Sequence, residues 1–245
     1  MIAFLNQKRA VFPFFWKAAQ ESGEKMGIFE IMGPVMVGPS SSHTAGAVKI
    51  GLVTRKLLGE KPAEAELLLH GSFAATGKGH GTDRALAAGL LGMKPDDVRI
   101  PESLEAARKA GLKLKIGTVT LRGVHPNTVL LKVKGVSGRS LEVVASSLGG
   151  GRIKICRIDG IETNFSGERP TLVVHNIDQP GHVAAVTTLL ASRGVNIATM
   201  QLYRDTRGGY AVMVLECDQP IPEDSLASLS KMDGILKITY LNLDR

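Results

Sequence analysis

At 245 residues, with 44% apolar and 22% charged side chains, the chain has ordinary globular composition and room for one large domain or two modest ones. Its net charge of +7 divides into +2 over 1–26, +7 over 27–169 and −2 over 170–245, which points to segments with different tasks. Lys and Arg are scattered and form no run longer than a pair, aromatics are only 4% and no recognition motif accompanies them, so an anionic metabolite or acidic partner surface is expected rather than nucleic acid.

Residues 1–26 place Lys8-Arg9 before a short apolar run that Pro13 interrupts and Lys17 ends. This falls short of a signal peptide and reads as an N-terminal extension. No stretch approaches the roughly 18 apolar residues of a membrane span, so no membrane contact is expected. The apolar segment 28–37 reads as a helical turn or strand running into Gly38-Pro39. Apolar residues at Ala47, Ile50, Val53, Leu57 and Leu58 predict a helix over 44–58, capped by Ser42 or a neighbour. A strand follows over 65–70, then a glycine-rich loop over 77–81 and a short helix over 82–91. Next come a connector at 95–98, a helix over 103–111 and strands over 113–121, 128–134 and 140–146. A sharp turn at Gly149-Gly150-Gly151 leads into a strand over 152–158.

The polar, glycine-containing stretch 161–170 reads as a linker between a domain over 27–160 and a second over 171–245. In the second domain, strands over 171–176, 197–203, 209–216 and 235–241 alternate with helices over 181–193 and 224–231, a ferredoxin-like βαββαβ order. The fold class is therefore α+β.

Two loops carry the residues for chemistry. Gly38-Pro39-Ser40-Ser41-Ser42-His43-Thr44 sets hydroxyls and an imidazole at a helix start, where free N–H groups suit an anion. One serine would suffice as a cap, so a functional loop is the stronger reading. His70-Gly71-Ser72 through Gly79-His80-Gly81-Thr82-Asp83 repeats the theme, but is equally readable as a turn and lacks the Lys-Ser/Thr of a phosphate loop. His125-Pro126-Asn127-Thr128 and Ser146-Ser147-Leu148-Gly149-Gly150-Gly151 are weaker signals. The histidines show no metal-ligand spacing, so no metal is expected on this chain. Cys156 and Cys217 form no disulfide framework, which fits a reducing cytoplasm, and are too few to ligate an iron–sulfur cluster.

Taken in order, the Gly-Pro-Ser-Ser-Ser-His-Thr run, the Gly-Ser-Phe-Ala to Gly-His-Gly-Thr-Asp run, the His-Pro-Asn-Thr turn and the triple glycine resemble the beta chain of bacterial iron–sulfur L-serine dehydratases. The likeness covers about 27–245 and carries an allosteric-substrate-binding-like first domain; from Thr171 the chain is similar to an ACT domain. The resemblance implies deamination of L-serine to pyruvate and ammonia, with a [4Fe–4S] cluster ligated by a partner alpha subunit. It implies catalytic roles for His43, Ser41, Ser42 and Thr44 and substrate contacts from Ser40, Ser72, His80 and Thr82. It further implies self-association through ACT domains, with L-serine as substrate and effector. Asn176, Asp178 and Gly181 would hold the effector of one chain, and Asn196 would come from the neighbour. A stand-alone amino-acid sensor without catalysis, or a purely structural partner, are the alternatives.

Overall fold

The computed structural model describes residues 35–243; the extension 1–26 and most of 28–37 lie outside them. The first half of the chain builds a six-stranded mixed sheet from β1 (Pro62–Leu69), β2 (Lys113–Thr118), β3 (Thr128–Gly135), β4 (Ser140–Gly149), β5 (Arg152–Ile158) and β6 (Ile161–Phe165), in the order β2-β1-β3-β4-β5-β6. The β1–β2 pair is parallel and the other pairs are antiparallel. Ala65, Leu67 and Leu69 alternate into the core while Glu64 and Glu66 point outward, the period-2 pattern of a sheet covered on one face.

Among the described residues, four α-helices accompany this sheet: α1 (Ala47–Leu58), α2 (Gly71–His80), α3 (Thr82–Leu91) and α4 (Ser103–Lys109). Helices α1 and α3 meet backbone to backbone at Gly51 and Gly89. A Cβ on Gly89 would lie 2.1 Å from the Val48 carbonyl oxygen, so no larger residue fits that crossing unmoved.

The second half forms β7 (Thr171–Ile177), α5 (His182–Ser192), β8 (Ile197–Arg204), β9 (Tyr210–Cys217), α6 (Glu223–Leu229) and β10 (Ile235–Leu241). Its antiparallel sheet runs β10-β7-β9-β8, the expected ferredoxin-like arrangement. Leu172, Val174, Met213 and Leu215 pack under α5 and α6, while Val173, Val212, Val214 and Leu241 on the opposite face join the core of the first domain. At the C-terminal end of α1, Lys237 Nζ donates across the junction to the Leu57 carbonyl (2.6 Å), and Arg139 Nη1 of the first domain donates to that of Leu58 (3.1 Å). Two cations at a helix C-terminus answer its partial negative charge.

Three local expectations change. The stretch 77–81 is not a loop: α2 runs from Gly71 to His80 and ends at Gly81, whose φ is +70°. The stretch 161–170 is not wholly a linker, because Ile161, Thr163 and Phe165 alternate inward as β6, an edge strand of the first sheet. The 44–58 helix is preceded by a separate π turn, Ser41–Gly46, whose cap is Ser40 rather than Ser42.

Candidate functional site

The π turn positions the central imidazole. Ser40 is extended (φ −142°, ψ 125°), and its Oγ accepts the His43 backbone N–H at 3.2 Å. That cap and the wide turn send His43 inward, leaving it 8% exposed. Single π turns of this kind recur at functional sites, because they rotate side chains off the regular helical register.

Helix α2 supplies the opposing wall. At its first residue, Gly71, φ is +55° and a Cβ would come within 2.5 Å of the Pro126 carbonyl oxygen, so glycine is required on both counts. Ser72 N–H donates to the same carbonyl at 2.9 Å, docking the His-Pro-Asn turn onto the helix. Ser72, Thr76 and His80 recur every four residues and so share one helix face. Their partner is His43: Thr76 Oγ1 lies 3.1 Å and Ser72 Oγ 3.4 Å from its Nε2. The His80 ring tilts against it with centroids 4.9 Å apart, and Phe73 meets it edge-on at 5.1 Å. Ser40 Oγ stands 3.4 Å from Nδ1 on the other side.

Around this cluster the remaining loops are held by their own hydrogen bonds. Leu121 N–H donates to His70 Nδ1 at 3.2 Å and Asn127 N–H to His125 Nδ1 at 3.1 Å. Beside the start of α2, His70, Gly71, Ala74, Thr118 and Thr120 border an open hollow of about 550 Å³. Burial lowers the pKa of His43 below the usual imidazole range; a hydrogen bond with the Ser72 backbone opposes this and the nearby His80 adds to it. His43 is thus held neutral, as a proton acceptor must be.

Of the residues expected in the site, the fold gathers Ser40, His43, Ser72 and His80. Ser41 and Ser42 stay on the π turn without a hydrogen bond to the imidazole, and Ser42 Oγ faces Gly149 of the triple-glycine turn. Thr44 is buried against Gly38 and Thr82 is fully buried, each with an unpartnered hydroxyl, so both pack as core residues rather than facing His43. Thr76 was missed; its signal is the 72–76–80 spacing, visible once the segment is read as a helix.

The effector set divides. Asn176 is 3% exposed, donates to the Ile177 carbonyl (2.7 Å) and leaves its Oδ1 unpartnered. Asp178 is engaged by the 204–208 turn: its Oδ2 accepts from Arg204 Nη1 (2.9 Å) and Gly208 N–H (3.0 Å). The Gly208 and Arg204 hydrogen bonds hold its carboxyl below the usual range. Gly181 (φ +100°) starts α5, whereas Asn196 follows its far end and donates to Asp218 Oδ2 at 2.6 Å. An 11-residue helix spans about 16 Å, so within one chain these groups cannot meet on one small molecule.

The two cysteines do not fit an iron–sulfur cluster. Cys156 lies on β5 and Cys217 on β9, strands of different sheets, and burial pushes the Cys217 thiol up to about 11. Among the described residues no group of three or more His, Cys, Asp or Glu side chains could hold a metal ion, and no helix is long and apolar enough to cross a membrane.

Residues 27–118 match the family model described as serine dehydratase beta chain, and residues 171–234 match that of the ACT domain. Over 215 residues the chain is 42% identical to the probable L-serine dehydratase beta chain of Bacillus subtilis (strain 168), covering 87% of this chain and 97% of that one. The chain belongs to the serine dehydratase beta-chain family. The L-serine dehydratase beta chain of Peptoniphilus asaccharolyticus is 39% identical over 216 residues, 88% of this chain and 97% of the relative. The D-3-phosphoglycerate dehydrogenase of Mycobacterium leprae is 27% identical over 197 residues, 80% of this chain but 37% of that enzyme. Among solved structures, the ACT domain of a GTP pyrophosphokinase from Chlorobium tepidum aligns with 29% of this chain and 95% of its own, at 20% identity and a TM-score of 0.24. The expected family, the α+β class and the order of a beta-chain domain followed by an ACT domain are thereby met. A serine dehydratase beta chain serves a serine ammonia-lyase and implies a partner subunit.

Proposed function

We propose that this beta chain completes the active site of a cytoplasmic iron–sulfur L-serine dehydratase, working only with an alpha subunit that ligates the [4Fe–4S] cluster. The observation that carries the reading is the neutral, buried His43, held between Ser40 on one side and Ser72 and Thr76 on the other. The cluster, when present in the complex, supplies a Lewis acid for the substrate hydroxyl. This chain's contribution is the proton acceptor: His43 takes the α-proton of serine, and Ser40 and Ser72 offer hydroxyls to the substrate. On the side of Ala75, Thr76, Gly79 and His80 the site opens to solvent, which supports closure by another subunit.

Co-expression with the alpha chain and an anaerobic pyruvate assay test this. Activity is expected from the complex and not from the isolated chain. Stable iron–sulfur absorption after reconstitution of this chain alone, or pyruvate formation by it, overturns the assignment of the cluster to the partner.

A second role, amino-acid sensing by self-associated ACT domains, is favoured by the surface of the second domain. Helix α5 carries no charged residue, its Val183 is 37% exposed, and the neighbouring edge strand β8 exposes Met200 (37%) and Leu202 (46%). A helix apolar on its outward side is one that a partner covers. Pairing two chains there would bring Asn196 of one toward Asn176 and Gly181 of the other, the arrangement expected for L-serine as effector. The partial likeness to D-3-phosphoglycerate dehydrogenase, which spans both domains, is compatible with such a regulatory module. Sedimentation of the full chain with and without L-serine is the test: the amino acid should strengthen the dimer, as a ligand selective for one state must. An unchanged association constant sinks this reading.

A further inference from the structure

We propose that Thr76 is the positioning residue that fixes His43 as its Nε2–H tautomer, leaving Nδ1, beside Ser40, as the nitrogen that receives the substrate proton. The inference deepens the reading of His43 as the base and rests on it.

The argument is one of donor and acceptor counting. Thr76 has one hydroxyl hydrogen. Its Oγ1 lies 2.9 Å from the Ser72 carbonyl oxygen one helical turn back, and a carbonyl can only accept. The hydrogen is therefore committed there, and what Oγ1 turns to His43 Nε2, 3.1 Å away, is a lone pair. Two lone pairs facing each other at this part-buried contact repel, so Nε2 carries the ring hydrogen and donates it to Thr76. On the opposite edge, Ser40 Oγ already accepts the His43 backbone N–H at 3.2 Å, so its own hydrogen is free for Nδ1 at 3.4 Å.

The same threonine sorts the second imidazole. His80 Nδ1 lies 3.2 Å from the Thr76 carbonyl oxygen, again an acceptor only, so His80 carries its hydrogen on Nδ1 and its lone pair on Nε2. Thr76 thus holds two adjacent histidines in opposite tautomers through its hydroxyl and its carbonyl. His80 is in ring contact with His43, and its nearness adds to the burial that lowers the His43 pKa.

In the reaction the α-carbon–hydrogen bond of serine breaks and its proton goes to Nδ1. The electron pair left behind forms the carbon–carbon double bond, and the β-carbon–oxygen bond breaks. The imidazolium keeps Nε2–H on Thr76 and holds Nδ1–H toward Ser40. Return of that proton to the departing hydroxyl gives water and aminoacrylate, which hydrolyses to pyruvate and ammonia.

Two-bond proton–nitrogen correlation spectra of the full chain, labelled at histidine nitrogen, read each tautomer directly, with His43→Ala assigning the signal. The expected result is Nε2–H for His43 in the wild type and in Thr76→Ser, and a mixture of both tautomers in Thr76→Val. In the alpha–beta complex, Thr76→Val should lower kcat at least about tenfold, a part of the 10²–10⁴ that a positioned base contributes. It should also move the acidic limb of the pH profile and leave KM within about twofold, while Thr76→Ser restores all three. A wild-type His43 in the Nδ1–H form, or identical tautomers and pH profiles in the two variants, overturns the inference. If His43 is Nε2–H but His43→Ala turns over normally, the base reading falls and the tautomer assignment stands. If His43→Ala is inactive but His43 is Nδ1–H, only the present inference falls.

Discussion

Helices α2 and α5 make an instructive pair. Each starts at a glycine of positive φ, Gly71 at +55° and Gly181 at +100°, and each contains a threonine that donates to the carbonyl four residues back. The two bonds, Thr76 to Ser72 and Thr187 to Val183, are both 2.9 Å long. Their consequences differ because of what stands opposite. A π turn sets an imidazole donor against Thr76, whereas Thr187 lies on a helix flanked by exposed Val183, Ala184 and Ala191. The same local bond becomes part of a site only when another element brings a donor to the freed lone pairs. The first domain assembles its constellation within one chain; the second leaves its polar groups at opposite ends of a helix.

The largest effect that could break this contrast is on turnover. His43→Ala should cost the complex about 10²–10⁴ in rate with its fold intact, while Thr187→Val should leave effector-free turnover within a few-fold. Turnover of His43→Ala within a few-fold of wild type would reduce the π turn to a helix cap.

A second expected effect lies at the junction of the domains. His175 is 2% exposed on β7, bonded to the Tyr210 hydroxyl, and burial first, then Lys237 and Arg139, push its pKa down to about 4. Because the folded value is the lower one, the unfolded chain binds this proton first as pH falls. The stability contributed by neutral His175 is full above about 6.5, the unfolded value, and is lost progressively down to about pH 4. The loss should amount to about 3 kcal/mol in denaturant titrations, and His175→Phe should flatten that slope.

Smaller again is the helix crossing. Gly89→Ala pushes a methyl into the Val48 carbonyl, and overpacking of this kind costs about 1–3 kcal/mol. A melting temperature equal to wild type would mean that α1 and α3 can separate without penalty. Least of all should be Asn196→Ala, within about 0.5 kcal/mol in stability because the side chain is exposed, yet abolishing any strengthening of the dimer by L-serine. A retained L-serine response would sharpen the contrast differently, by locating the effector within one chain.

Much of this architecture is legible from periodicity. The ACT strands and helices follow from alternating and 3.6-residue apolar patterns, and the family from the ordered loop motifs. The cluster around His43 was legible at Ser40, His43, Ser72 and His80 because their side chains are conspicuous in the motifs. Thr76 was not, because Gly77, Gly79 and Gly81 read as a loop and so hid the four-residue spacing that aligns it with Ser72 and His80. Glycine's weak helix propensity was overridden here by packing, with Phe73 fully buried and Ser72 tied to Pro126. Strand β6 was hidden by its neighbours: Gly160, Gly167 and Pro170 advertise a linker, although Ile161-Glu162-Thr163-Asn164-Phe165 alternates strictly. Thr44 and Thr82 mislead in the other direction. A threonine is nearly the shape of a valine, and motif context cannot tell a hydroxyl that serves chemistry from one buried for its methyl group.

The sharing of one apolar core by both domains bears on how the chain comes apart. Val173, Val212, Val214 and Leu241 of the ACT sheet pack with the first domain, while Leu172, Val174, Met213 and Leu215 on the other face pack under the ACT helices. The ACT sheet is thus a central slab, and peeling it away exposes a fully buried apolar face on each side of the cut. Heating should therefore produce one cooperative transition, with van't Hoff and calorimetric enthalpies in agreement, rather than two steps matching two family names. Limited proteolysis near Ser166–Pro170 should nick the chain without releasing a soluble ACT fragment, because the fragments remain glued through that face.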